Sequence, residues 1–159
     1  MPPPGRTIIA VIGAARPSTA GAQLAEQVGR LLAGEGVVLV CGGLGGVMES
    51  AARGCAAAGG EVLGILPGPD ASQANPFVTL AVPTNMGHAR NVIIAHTAQA
   101  LIAVEGEYGT ISEMAVALKL GKPVITLPGA PHLPGVRCAA SAPDAVCQAL
   151  ASLAGSVSP

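Results

Sequence analysis

The chain has 159 residues, half of them hydrophobic and 11% charged, and its formal net charge is -1. This length suits one domain covering residues 1–159, with a core over about 6–154. The sequence has no basic stripe, so we expect no nucleic acid polymer as partner. Apolar runs are too short to span a membrane, and the four cysteines lack CxxC spacing. We therefore expect a cytoplasmic protein with reduced thiols and no membrane or metal partner.

In the first half of the chain, short β-branched apolar runs alternate with segments of helical periodicity. The predicted strands are 7–12, 37–41 and 61–66, and the predicted helices are 19–34 and 47–58. Ser18 or Thr19 can cap the first helix, and Gly59 and Gly60 end the second. Gly13 and the pair Pro67-Gly68 end the first and third strands.

The second half continues the alternation after a polar, proline-containing loop over residues 68–76. The predicted strands are 77–82, 100–104, 123–127 and a short one near 136–140, and the predicted helices are 87–98, 110–120 and 143–154. All-apolar strands separated by helices indicate a parallel sheet covered on both faces. We therefore predict an α/β fold, a doubly wound, mainly parallel Rossmann-like sheet with helices on both faces.

In such a sheet, ligands bind at the carboxyl ends of the strands, so the loops that follow strands are the candidate binding loops. The loop Gly42-Gly43-Leu44-Gly45-Gly46 precedes a helix, and glycine-rich turns of this kind let backbone amides approach a phosphate. The pattern is neither GxGxxG nor a Walker A motif. A tight turn without a ligand remains the alternative for this loop.

The stretch EGEYGTISE (105–113) follows an apolar strand and places three carboxylates at the ligand edge of the sheet. Thr110 and Glu113 have the spacing of a capping box, which predicts that they close the start of a helix. The capping box does not explain Gly106 and Gly109. These two glycines leave amides open beside a helix N-terminus, where an anion fits. This segment is therefore both a predicted cap and a candidate anion site.

Arg90 begins an otherwise apolar helix, where the helix dipole disfavours a cation. Two explanations stay open, an ion pair with a carboxylate of the 105–113 loop and a bond to a ligand phosphate or carboxylate. His88, His96 and His132 are isolated and have no metal-ligand partner in the sequence. No nucleophile elbow or metal signature is present either.

Four sequence blocks occur in a distinctive order. They are CGGLGGVMESAARG, GILPG, TNMGHARN and AVEGEYGTISEMAVALKLGKPVI. Together they resemble the SLOG superfamily over about residues 6–130. That superfamily includes the Lonely Guy nucleotide phosphoribohydrolases and the molybdenum-cofactor carrier proteins, and the chain is most similar to the carrier-like branch. Gly106, Gly109, Thr110 and Glu113 match the Lonely Guy motif P-G-G-x-G-T-x-x-E, whereas Glu105 and Glu107 replace its proline and second glycine.

The resemblance implies a phosphate seated on Gly43–Gly46 and Gly109–Thr110, with no cofactor or metal required. In a phosphoribohydrolase it implies that Arg90 and Glu113 are the catalytic residues, flanking the ribose C1′–N bond. The expected ligand-binding residues are Gly13, Gly42, Gly43, Gly45, Gly46, Asn91, Gly106, Gly109 and Thr110. The expected partner is a small phosphorylated ligand, such as a nucleoside monophosphate, phosphate or a molybdopterin-type molecule, and the expected assembly is a homodimer or homotetramer.

Three functions follow from these observations. The first is a binding protein for a phosphorylated nucleotide-like ligand, of the molybdenum-cofactor carrier type. The second is a nucleoside 5′-monophosphate phosphoribohydrolase that releases free base and ribose 5-phosphate. The third is a nucleotide-sensing module whose output is oligomerisation. Turnover of AMP separates the second from the other two, and a co-purified pterin identifies the first.

Overall fold

The computed structural model describes residues 5–155. The strands are β1 (Ile8–Gly13), β2 (Val38–Cys41), β3 (Val62–Leu66), β4 (Leu80–Pro83), β5 (Ala100–Val104), β6 (Val124–Thr126) and β7 (Arg137–Cys138). The helices are α1 (Thr19–Gly34), α2 (Val47–Ala57), α3 (Arg90–Thr97), α4 (Tyr108–Lys119) and α5 (Ala142–Ala154), with two short 3₁₀ helices at Ala71–Gln73 and Gly87–Ala89.

The seven strands form one sheet in the order β4-β3-β2-β1-β5-β6-β7, and every neighbouring pair is parallel. The chain winds outward from β1 in one direction through β4, then returns to β5 on the other side of β1. This confirms the predicted doubly wound α/β sheet. Gly13 at the end of β1 lies in register with Val104 at the end of β5, so the two strands finish side by side.

The sheet divides the core into two layers because successive side chains of a strand point to opposite faces. Ile9 and Val11 of β1 pack with α1, α2 and α5, whereas Ala10 and Ile12 pack with α3 and α4. Helices α1 and α2 lie so close together that a Cβ at Gly29 would collide with the Ala51 carbonyl. In this chain, which has almost no aromatic residues, small side chains allow the backbones to pack closely.

Most predicted boundaries agree with the structure to within one or two residues. Helix α1 and strand β5 have the predicted bounds, and Ser18 caps α1 by accepting a hydrogen bond from the Gly21 amide at 3.0 Å. Strand β4 begins at Leu80, later than the predicted 77. The reason is a turn in which the Phe77 amide donates to the Asn75 side-chain oxygen at 3.1 Å. The predicted helix 87–98 divides into a 3₁₀ turn and α3.

The structure also describes all four cysteines. Each is a free thiol, with Cys41 and Cys55 buried and Cys138 and Cys147 exposed. Among residues 5–155, no helix is both long enough and apolar enough to cross a membrane.

Lys122, in the loop between α4 and β6, holds the carboxyl end of α3. Its ammonium donates hydrogen bonds to the carbonyls of Ala95 at 2.8 Å, His96 at 2.6 Å and Ala98 at 2.6 Å. Carbonyls at a helix end lack intrahelical donors, and a cation there also interacts favourably with the helix dipole. Since α3 begins at Arg90, this contact anchors the helix that carries the buried arginine described below.

We expect Lys122→Met to lower the free energy of unfolding by about 1–3 kcal/mol, because the three carbonyls lose a charged donor. Chemical denaturation measures the difference. Lys119→Met is the matched control, because Lys119 is exposed and forms no ion pair within residues 5–155. The control should change stability by at most about 0.5 kcal/mol. Equal losses in the two variants would contradict the anchoring role.

Candidate functional site

A cleft of about 450 Å³ opens at the carboxyl ends of β1 and β5. This is the point at which the strand order changes direction, the usual ligand position in an open parallel sheet. Its volume lies within the range of small-molecule sites. The end of β1, the loop after β2, the start of α3 and the first turns of α4 supply its walls.

The cleft brings together seven of the eleven residues that the sequence selected. These are Gly13, Gly42, Arg90, Asn91, Gly109, Thr110 and Glu113. The other four, Gly43, Gly45, Gly46 and Gly106, do not line it.

The glycines of the β2–α2 loop have packing reasons of their own. A Cβ at Gly42 would lie 2.5 Å from the Met48 sulfur and 2.6 Å from the Arg90 guanidinium. Gly46 has a φ of 74°, and a Cβ there would collide with the Ala14 carbonyl, which also accepts the Val47 amide at 2.9 Å. The glycines thus allow two loops to meet. A phosphate on Gly43–Gly46 stays a prediction.

Arg90 is buried, with 8% of its surface exposed. Its guanidinium donates to the Ile65 carbonyl at 2.9 Å, to the Gly42 carbonyl at 3.4 Å and to the Asn91 side-chain oxygen. Burial lowers the pKa of Arg90, and the nearby Glu113 carboxylate raises it. Most of the guanidinium is therefore bound within the protein, where it fixes the ends of β2 and β3.

Glu113 is also 8% exposed and lines the cleft. Burial raises the pKa of its carboxyl to about 7, although the positive charge of Arg90 lowers it. No described residue donates a hydrogen bond to this carboxyl group. Glu113 is therefore a buried acid near the middle of its titration at neutral pH, with its hydrogen-bonding capacity available to a ligand.

The predicted capping box is wrong. Helix α4 begins at Tyr108, its N-cap is Glu107, and no side chain caps it. Thr110 and Glu113 therefore lie inside the helix rather than at its start. The cause is the preceding turn: Gly106 adopts a φ of 119°, and a Cβ there would collide with the Thr110 hydroxyl, so Thr110 packs against the turn.

The first amides of α4 remain open. The first backbone bond of the helix is from the Ile111 amide to the Glu107 carbonyl at 2.9 Å. Within residues 5–155, the amides of Tyr108, Gly109 and Thr110 have no acceptor outside the helix, and helix geometry gives them none inside it. This uncapped positive end of the helix dipole can hold an anion.

The two acids of the β5–α4 loop differ in environment. Glu105 has a φ of 52° and accepts hydrogen bonds from the Ser18 amide at 2.9 Å and from the Ser18 hydroxyl. Its carboxylate is thus paired at the start of α1. Glu107 is exposed and lines the cleft beside the α4 amides.

Several cleft residues were not predicted as site residues from the sequence, and they include three with long side chains that contain polar or sulfur atoms. Arg16 lies in the β1–α1 loop, Met48 in α2, and His88 in the 3₁₀ turn before α3. Arg16 and His88 lie in loops that follow strands, and such loops are the predicted binding loops. Nothing in the sequence singles out either residue within its loop. No group of three or more potential metal ligands occurs in the described part of the chain.

The profile of the SLOG cluster4 family matches residues 6–151, and the chain belongs to this family. A protein from Archaeoglobus fulgidus, described only as uncharacterized, is 47% identical over 138 residues, which cover 87% of this chain and 91% of that protein.

Two of the similar solved structures are molybdenum-cofactor proteins. One is the molybdenum cofactor binding protein from the phototrophic bacterium Rippkaea orientalis, with a TM-score of 0.87 and 34% identity over 96% of this chain and 99% of that one. The other is the molybdenum cofactor carrier protein from Chlamydomonas reinhardtii, with a TM-score of 0.86 and 33% identity over 94% and 99%.

The raised pKa of Glu113 predicts a pH-dependent stability. Its folded pKa of about 7 exceeds the ordinary 4.5, so its contribution is fully present below pH 4.5 and is lost as the pH rises through 7. From pH 5 to pH 8, the free energy of unfolding should fall on the order of 3 kcal/mol more in the native chain than in Glu113→Gln. Urea denaturation at both pH values measures this difference. Parallel pH dependences in the two proteins would show that Glu113 is not the buried acid.

Proposed function

We propose that this chain binds a small phosphorylated, nucleotide-like ligand in the cleft, as a carrier of the molybdenum-cofactor type. One observation carries the proposal: Gly109 and Thr110, whose amides are open at the start of α4, line the same cleft as the buried Glu113 carboxyl at the β1–β5 switch point. The amides suit an anion, and the carboxyl suits a hydrogen-bond donor. The ligand therefore carries both groups.

A molybdopterin-type ligand has both groups, because its pterin ring bears N–H donors and its side chain ends in a phosphate. The phosphate would bind at Gly109 and Thr110, and a ring or sugar donor would bind Glu113. The partly buried Met48 supplies apolar contact surface in the same cleft. The similarity to two molybdenum-cofactor proteins over nearly the whole chain supports this choice of ligand class. Assembly as a homodimer or homotetramer stays a prediction.

Thermal unfolding with added ligands tests the proposed function. Molybdopterin, AMP and inorganic phosphate are compared with adenosine, which lacks the phosphate. A ligand at a hundred times its Kd should stabilise the protein by about 2.7 kcal/mol, and AMP should stabilise it more than adenosine does. Stabilisation by none of the three phosphorylated compounds would contradict the proposal. Pterin fluorescence from freshly purified protein identifies a retained ligand directly.

A phosphoribohydrolase is the second candidate, favoured by the position of Glu113 beside Arg90. A carboxyl with a pKa of about 7 can hold or release a proton at neutral pH, as a general acid or base must. The hydrolase would convert AMP into adenine and ribose 5-phosphate, whereas the carrier would bind AMP without turnover. Chromatography of adenine released from AMP separates the two.

Glu107→Gln should tighten AMP binding about threefold, which corresponds to about 0.7 kcal/mol, within the range of an exposed charge pair. The reason is that Glu107 is the carboxylate beside the open α4 amides, where it repels the phosphate. Calorimetric titration measures the Kd. Glu35→Gln, which removes an exposed acid at the far end of α1, is the control and should leave the Kd unchanged. Weaker binding to Glu107→Gln would indicate that Glu107 contacts the ligand favourably.

A further inference from the structure

Arg16 is an exposed cation of the cleft that has no partner among the described residues. It lies in the loop between β1 and α1 and lines the cleft together with Gly109 and Thr110. The ion pairs within residues 5–155 involve Arg6, Arg30 and Arg53, and Arg16 makes neither an ion pair nor a side-chain hydrogen bond there. An unpaired guanidinium beside open helix amides favours an anion between them.

The starts of the other helices near the cleft are less suited to binding an anion than the start of α4. The start of α1 is closed by the Ser18 hydroxyl, which accepts the Gly21 amide, and by the Glu105 carboxylate on Ser18. At the start of α2, the Val47 amide already donates to the Ala14 carbonyl, and Glu49 places an acid in the first turn, where it disfavours an anion. The start of α4 therefore remains for an anion that Arg16 attracts. The buried Glu113 carboxyl, which has no donor among the described residues, is a second and independent feature that suits a ligand in this cleft.

Glu105 ties the loop of Arg16 to the loop that leads into α4. Its carboxylate binds Ser18, two residues beyond Arg16, and its backbone φ of 52° is uncommon for a residue with a side chain. Pro17 joins Arg16 to Ser18, and it restricts both its own φ and the backbone of the preceding residue. The place of Arg16 relative to α4 therefore depends on the Glu105–Ser18 bond.

We propose that Arg16 and the first amides of α4 together hold the phosphate of the ligand, and that Glu105 is the positioning residue for Arg16. This inference rests on the proposed function, because it assumes that a phosphorylated ligand enters the cleft. It adds two residues, Arg16 and Glu105, to the site. It also assigns Glu105 a purpose, since its carboxylate fastens two loops and does not face the ligand.

The first test compares AMP binding by the full chain and by Arg16→Ala in calorimetric titrations. We expect about tenfold weaker AMP binding by Arg16→Ala, because a charge-assisted contact is lost, and unchanged binding of adenosine. Arg30→Ala is the matched control, because Arg30 is an exposed arginine of α1 outside the cleft, and it should bind AMP as the native chain does.

The outcomes separate this inference from the proposed function. If the native chain binds AMP and Arg16→Ala binds it equally well, Arg16 does not hold the phosphate, while the proposed function stands. If the native chain binds neither AMP nor inorganic phosphate nor molybdopterin, both proposals fail. If it binds inorganic phosphate or molybdopterin but not AMP, the same comparison is made with that compound.

A double-mutant cycle tests the role of Glu105. Glu105→Gln should weaken AMP binding about threefold in the native background and have no effect in the Arg16→Ala background, because a positioning residue acts only through the group that it positions. A purely structural role would lower the melting temperature and weaken binding equally in both backgrounds, which would overturn the assignment. Ser18→Ala removes the hydroxyl partner of the same carboxylate and should show the same dependence on Arg16, even if Glu105→Gln does not fold.

Discussion

The Arg90 guanidinium lies buried at the carboxyl ends of β2 and β3, where it donates to the carbonyls of Gly42 and Ile65. A buried cation is tolerated only when its donors are bonded and its charge is offset. Here backbone carbonyls and the Asn91 side chain take the donors, and Glu113 supplies the opposing charge. Only glycine fits at position 42, because the Arg90 guanidinium and the Met48 side chain occupy the space that a Cβ would take. The shape of the cleft follows from this arrangement.

Arg90 and Glu113 differ in how their polar atoms are bonded. Arg90 donates to two backbone carbonyls and to the Asn91 side chain, and its charge lowers the pKa of Glu113. Glu113 has no hydrogen-bond donor among the described residues. Burial raises the pKa of its carboxyl and the charge of Arg90 lowers it, and the result is a pKa of about 7. The exposed wall of the cleft combines the positive Arg16 guanidinium and the open α4 amides with the negative Glu107 carboxylate. A ligand phosphate would be attracted by the first two groups and repelled by the third.

Much of the fold could be predicted from the sequence because its signals are local. The β-branched runs indicated the strands, and Ser18 or Thr19 was predicted to cap α1; the structure shows that Ser18 is the cap. The Thr110–Glu113 spacing misled for a physical reason, since the turn at Gly106 starts α4 at Tyr108 and moves both residues into the helix.

The rest of the site could not be predicted, because it depends on contacts between distant parts of the chain. The bond from Ser18 to Glu105 joins residues 87 positions apart, and nothing near either residue indicates it. In the same way, the glycines at 42 and 46 resembled a phosphate loop, yet they are needed where the loop meets Arg90 and Ala14. Arg16 lies in a predicted binding loop, yet its place beside the first turn of α4 depends on how distant parts of the chain pack.

The most direct measurement is a crystal structure of the protein with AMP bound. Our account predicts the phosphate within hydrogen-bond distance of the Gly109 and Thr110 amides and of the Arg16 guanidinium, with a ribose or base donor on Glu113. A phosphate that contacts neither the Gly109 and Thr110 amides nor Arg16, or AMP bound outside the β1–β5 cleft, would contradict it.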